Sequence, residues 1–176
     1  MTLESSQLLK TSRFRVDQVT HKLDDGSLHH RQIVRHPGAV TILPMVDNEH
    51  VCLIRNYRVS VDETLIELPA GTREPDESPA ATAHRELIEE TGYEAGRLTL
   101  LHQFLLSPGI LDERMVLFLA TDLRVVGANR EVGEEIENLV VPFADAIEMI
   151  QDGRIQDAKT IVGILSYHQF HRTELQ

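Results

Sequence analysis

GTREPDESPAATAHRELIEETGY, residues 71–93, places five glutamates and one aspartate in a loop and one short helix. Like charges three or four positions apart on a helix repel, so a folded chain that keeps such a run must offset it. The helix bounds can be read directly. Ser78 is a preferred N-cap and Pro79 suits the first helical position. No further Gly or Pro intervenes before Thr91, and Gly92 stands where a C′ glycine belongs. On a wheel of about 100° per residue, Glu86 and Glu90 share a face and Glu89 borders them. Ala80, Ala83 and Leu87 form the adjoining apolar stripe that would pack on a sheet.

The carboxylates therefore lie beside the buried edge of the helix, a poor place for solvating charge. It is a good place for ligands to a hard cation, since Mg²⁺ and Mn²⁺ prefer oxygen donors and suit a carboxylate pair completed by substrate phosphate. The plainer alternative is a charged helix facing solvent. Two features count against it: Gly71 opens the loop, where a backbone carbonyl can face metal, and Glu77 comes within reach of Arg85, which can fix the neighbouring carboxylates.

The chain has 176 residues and a formal net charge of −11. The length suits a single sizeable core. The charge argues against nucleic acid or an anionic membrane as partner. It conflicts with phosphate chemistry unless cations intervene. The one cysteine, Cys52, forms no intramolecular disulfide and no cysteine-based zinc site and reads as a buried strand residue. The nine histidines show no zinc-ligand spacing. With no signal-like N-terminus and no apolar window long enough to span a bilayer, the expected location is the cytoplasm.

Around the helix the pattern is mostly β. Phe14–Leu23 and LHHRQIVRH flank Asp25-Gly26, a strong hairpin turn. Ala39–Val46, His50–Arg58 and Thr64–Gly71 read as strands, as do Arg97–Leu106, Arg114–Leu123 and Glu137–Phe143. Ala144–Gly153 and Asp157–Arg172 read as closing helices, the second with core-packing spacing. The expectation is an α+β fold with a mixed β-sheet sandwiched by helices. Its organisation would be N-terminal strands over residues 1–38 and a main domain over 39–176.

Gly71, Glu77, Arg85-Glu86-Leu87, Glu89-Glu90, Gly92 and apolar Tyr93 stand at every fixed position of the Nudix box, and the surrounding strand order resembles the Nudix fold with an N-terminal β-hairpin extension. The resemblance implies Mg²⁺-dependent hydrolysis of a nucleoside diphosphate linked to another moiety, with Mn²⁺ as a substitute. Carried over by position, Glu86, Glu90 and the Ala70 carbonyl would hold metal and Glu89 would support the cluster. Arg85 and Glu77 would orient it. The charge conflict then resolves, because carboxylates attract cations and cations bind pyrophosphate.

The flanks resemble the ADP-ribose pyrophosphatase branch: RNYR, LIELPAG, Pro108 fifteen residues after Tyr93 within SPGILDE, and DGRIQDAKTIVGIL. They imply substrate contacts at Arg55, Arg58, Glu67, Pro108 and Gly109, and products AMP and ribose 5-phosphate. Guanidinium groups suit phosphate oxygens and stack on bases. Glu67 either accepts from an adenine amino group or ribose hydroxyl, or pairs with an arginine. The general base would come from Glu131, Glu134 or Glu135, with Glu134 falling best on a base or metal-approaching position. Val132 departs from the family's paired acids there. The N-terminal strands, Phe14 among them, would pair across a homodimer. The alternatives are another sugar nucleotide such as GDP-mannose, a non-catalytic Nudix ligand-binding protein, and sanitising of oxidised triphosphates. The complete box counts against the second and the flanks against the third.

Overall fold

The computed structural model describes residues 2–128 and 135–171, with side chains from residue 4 onward. Contacts divide the chain into two units, Met1–Gly38 with Phe104–Arg114, and Ala39–Gln103 with Met115–Gln176.

The first unit is an antiparallel sheet ordered β1-β2-β3, with β1 at Thr2–Lys10, β2 at Arg15–Lys22 and β3 at Leu28–Arg35. The β2–β3 turn is closed by Asp25, whose Oδ1 accepts from Ser27 N at 2.9 Å, and by Gly26 at φ 87°. Segment 104–114 docks on β3: Val34 donates to the Ile110 carbonyl at 2.8 Å and Asp112 donates back to Val34 at 3.1 Å. Arg35 ties both parts, reaching Asp17 at 3.2 Å and Asp112 at 2.9 Å.

The second unit holds two sheets. One is ordered β7-β4-β9-β8, from Ala70–Thr72, Ala39–Pro44, Arg114–Val125 and Tyr93–Leu105. Its β4–β9 pair is parallel and its β4–β7 pair antiparallel, so the sheet is mixed. The other is antiparallel, ordered β10-β5-β6, from Ile136–Pro142, His50–Arg58 and Glu63–Glu67. The helices are α1 (Pro79–Thr91), α2 (Phe143–Gln151) and α3 (Ala158–Ser166), the last followed by a π-helical turn at Tyr167–His171. No helix among the described residues is long and apolar enough to cross a membrane.

Two sequence expectations need revision here. Thr64–Gly71 is not one strand. It breaks at Leu68-Pro69 into β6 and β7, which belong to different sheets. Proline cannot donate to a ladder, and the chain uses that break to cross between layers. β1 was not anticipated at all. Its described side chains are all exposed, so it carries no apolar alternation and owes its form to pairing with β2.

Helix α1 starts and stops as its sequence dictates. The Ser78 hydroxyl accepts from Ala81 N at 3.2 Å, and Gly92 takes φ 75° to donate to the Ile88 carbonyl at 2.9 Å. Ala83 and Leu87 are fully buried against Val40, Ile42, Val116, Phe118 and Ala120. Burying a leucine this way stabilises by about 1.5–3 kcal/mol, and it fixes which face of α1 remains for the carboxylates. The Asn138 amide of β10 donates to the Thr91 carbonyl at 2.7 Å, holding the helix end.

Candidate active site

The repulsion among the carboxylates is offset by one guanidinium. Arg85 grips Glu77 with Nε and Nη2, both at 3.0 Å. Its Nη1 donates to Glu86 and to Glu89, each at 2.8 Å. Bidentate pairs of this kind fix both geometry and charge. Glu77 also accepts from the Thr82 hydroxyl at 2.8 Å. The Arg85 bonds, aided by Thr82, hold the Glu77 carboxyl at about 2, well below its ordinary 4.5. The same bonds push the Arg85 guanidinium higher still. Arg73 joins from the loop, donating through Nη2 to the Glu77 carbonyl at 2.8 Å.

Glu86 and Glu90 both meet β7. A Cβ on Gly71 would lie 1.9 Å from the Glu86 carboxyl carbon, so only glycine leaves room for that carboxylate. Glu90, 4% exposed, accepts from the Ala70 backbone N–H at 2.9 Å. Three carboxylates, Glu77, Glu86 and Glu89, thus gather around a single arginine, while Glu86 and Glu90 lean on the strand that carries Ala70 and Gly71.

That donor set fits a hard divalent cation. Among the described residues no group of three or more His, Cys, Asp or Glu side chains is placed to hold a metal by itself. A cation here would draw on two carboxylates and complete its shell with backbone oxygen, water and substrate, the arrangement Mg²⁺ favours over an all-protein cage. The buried excess of negative charge is the second reason for the fit, since it costs free energy until a cation neutralises it.

The remaining anticipated residues divide. Arg58 donates bidentately to Glu67, Nε to Oε1 at 2.7 Å and Nη2 to Oε2 at 2.6 Å. Glu67 is 1% exposed and also meets Lys159. Of the two readings the sequence left open for Glu67, the geometry displays the ion pair. Burial pushes its carboxyl up, but Arg58 and Lys159 outweigh that and hold it low. Arg58 feels Glu90 as well, whose charge helps raise its guanidinium above the ordinary value after the larger effect of Glu67. Arg55 is exposed and, three residues away along β5, projects from the opposite face. The structure does not bring the two arginines together.

Pro108 and Gly109 belong to the first unit, in a turn where Ile110 and Leu111 donate to the Ser107 carbonyl at 3.1 and 2.8 Å. With His21, Arg31 and Arg114 they line a cavity of about 640 Å³. Glu131 and Glu134 lie outside the described residues; Glu135, beside them, is exposed. Phe14 sits exposed in the turn after β1. Cys52 is fully buried in β5, and burial pushes its thiol up to about 12. Lys159 was missed by sequence reasoning, because a single lysine in an apolar helical pattern reads as a solvated interruption; it is 8% exposed.

A family model described as NUDIX domain matches residues 35–162. An ADP-ribose pyrophosphatase of Bacillus subtilis (strain 168) is 39% identical over 145 residues, covering 81% of this chain and 78% of its own. A GDP-mannose pyrophosphatase of Escherichia coli O1:K1 / APEC is 36% identical over 183 residues, covering 96% and 95%. Among solved structures, an ADP compounds hydrolase superposes with a TM-score of 0.86 at 23% identity, over 99% of this chain and 95% of that one. That likeness establishes the fold, a mixed α+β Nudix architecture.

Proposed function

The chain belongs to the NUDIX domain family, and from that premise we propose that it hydrolyses nucleoside diphosphate sugars, cleaving ADP-ribose to AMP and ribose 5-phosphate. The observation that carries this reading is the pair Glu86 and Glu90 set against Gly71 and Ala70. The substrate class is supported by the relatives, which cover most of the chain at 36–39% identity.

Glu86, Glu90 and the Ala70 carbonyl would hold Mg²⁺, with Mn²⁺ as a substitute. When bound, the cation neutralises charge on the pyrophosphate oxygens and lowers the pKa of the attacking water. The protein's own groups do the rest. Arg85 fixes Glu86 and Glu89 through one nitrogen, so both carboxylates hold their rotamers before substrate arrives. Arg58 offers its remaining N–H groups to the diphosphate, and Arg55 is proposed to contact the substrate's outer parts. Water attacks phosphorus, the bridging P–O bond breaks, and the proton passes to a general base. Glu134 is the residue proposed for that base, beside Glu131 and Glu135. Each product leaves as a phosphate monoester.

The N-terminal strands, residues 1–38, are proposed to pair two copies into a homodimer acting in the cytoplasm. Incubating the protein with ADP-ribose and Mg²⁺ and resolving the products tests the activity; AMP and ribose 5-phosphate in equal amounts is the expected result. GDP-mannose is the second reading, favoured by the Escherichia coli relative, which matches this chain along nearly its whole length.

A further inference from the structure

Lys159 is a buried cation on a helix that supplies no residue to the proposed chemistry. Burying an ammonium costs several kcal/mol unless it is paired, so its partners show what it is for. It bonds Glu67 Oε2 and reaches Asp157 Oδ1 at 2.9 Å. Asp157 is the N-cap of α3, accepting from Thr160 N at 3.0 Å. The Thr160 hydroxyl donates to Asp157 at 2.6 Å and accepts from Leu68 N at 2.8 Å. One turn on, a Cβ at Gly163 would stand 2.5 Å from Leu68 Cδ1, so α3 packs as close to Leu68 as a glycine allows.

A single helix thus fastens Glu67 by charge, the Leu68 backbone by a hydroxyl, and the Leu68 side chain by packing. Pro69, Ala70 and Gly71 follow at once, and on these lean Glu86 and Glu90. We propose that the first turn of α3 positions the binding site, Lys159 by holding Arg58 through Glu67 and Thr160 by holding the strand that carries Ala70.

The charge logic is specific. Glu67 Oε1 accepts from Arg58, whereas Oε2 is shared between Arg58 and Lys159. With Lys159 present, the buried carboxylate is satisfied while the Arg58 side chain stays 39% exposed. Without it, Glu67 has one cation to draw on, and Arg58 is pulled inward from the position where it can meet a phosphate. Lys159 is therefore a positioning residue, and the inference rests on the proposed contact between Arg58 and the diphosphate.

The test compares Lys159→Met, Lys159→Arg, Thr160→Val and the double variant Glu67→Gln/Lys159→Met with wild type, reading melting temperature, KM, kcat and the Mg²⁺ concentration for half-activation. Partners one shell removed from a site alter affinity by about 10- to 100-fold. Lys159→Met should raise KM by about tenfold or more with kcat within about twofold, the pattern of a lost binding contact. Lys159→Arg should restore most of it. The double variant, which removes both members of the buried Glu67–Lys159 pair, should regain melting temperature but keep the raised KM. Thr160→Val should raise the Mg²⁺ requirement while KM stays near wild type. A wild-type KM in Lys159→Met, or a KM that recovers together with melting temperature in the double variant, would mean that Lys159 only stabilises the fold. If wild type leaves ADP-ribose intact, the proposed substrate is wrong, and the same comparison is made on the nucleoside diphosphate sugar that wild type does cleave.

Discussion

The carboxylate of Glu86 fills the space a side chain on residue 71 would need, with its carboxyl carbon and Oε1 both 1.9 Å from an ideal Cβ there. Gly71 is at no positive φ, so close approach, not backbone freedom, requires the glycine. Gly71→Ala must displace the end of the Glu86 side chain, which is flexible enough to move without unfolding the protein. The expected outcome is a loss of activity of about tenfold or more with a melting temperature close to wild type. A large drop in melting temperature would show that the backbone, not Glu86, gives way.

Glu86→Gln and Glu90→Gln each keep shape and remove one charge from the cation-facing pair. Activity should fall by at least about a hundredfold in each, since the cation supplies several kcal/mol of charge stabilisation. Circular dichroism should stay native, because the helix is held by Ala83 and Leu87 on its other edge. Near-normal rates in both variants would remove the metal-face account.

Glu77 predicts an acid limb in stability. Its folded carboxyl lies at about 2 against an ordinary 4.5. A depressed carboxyl contributes stability that is complete above the unfolded value and is lost as pH falls through the folded one. The wild type should therefore lose this contribution between about pH 4.5 and pH 2. Glu77→Gln should be less stable than wild type at pH 7, and the gap should narrow through that window when urea midpoints are compared. A gap that stays constant with pH would show that the Arg85–Glu77 charge pair contributes little.

Gly92 is held at φ 75°, and a Cβ there would meet Ala128 N at 2.7 Å. Strain and contact act together, so Gly92→Ala should lower stability by about 1–3 kcal/mol, measured by urea unfolding. No change would mean the helix end shifts freely, which the Asn138 bond to Thr91 argues against.

What the sequence reveals differs from element to element. Helix α1 is legible to the residue because Ser78, Pro79 and Gly92 are local signals, each with its own chemistry. Its carboxylate face follows from helical period alone. β1 is illegible because an edge strand with exposed side chains has no apolar alternation, and only its partner makes it a strand. Pro69 signals a stop, but nothing local says the chain then enters another sheet. The separation of Arg55 from Arg58 is open to a period-two argument, since residues three apart on a strand face opposite ways. Reading RNYR as a unit hid it. Lys159 needs the fold itself: its partner Glu67 lies 92 residues away, and no local pattern marks a buried lysine as paired.

The most direct test of the central claim is product analysis on ADP-ribose and GDP-mannose, with Mg²⁺ and with chelator. The account predicts AMP and ribose 5-phosphate from ADP-ribose, ahead of GDP-mannose cleavage, and abolished by chelator. Turnover that persists in chelator, or no turnover of either substrate by folded protein, would contradict it.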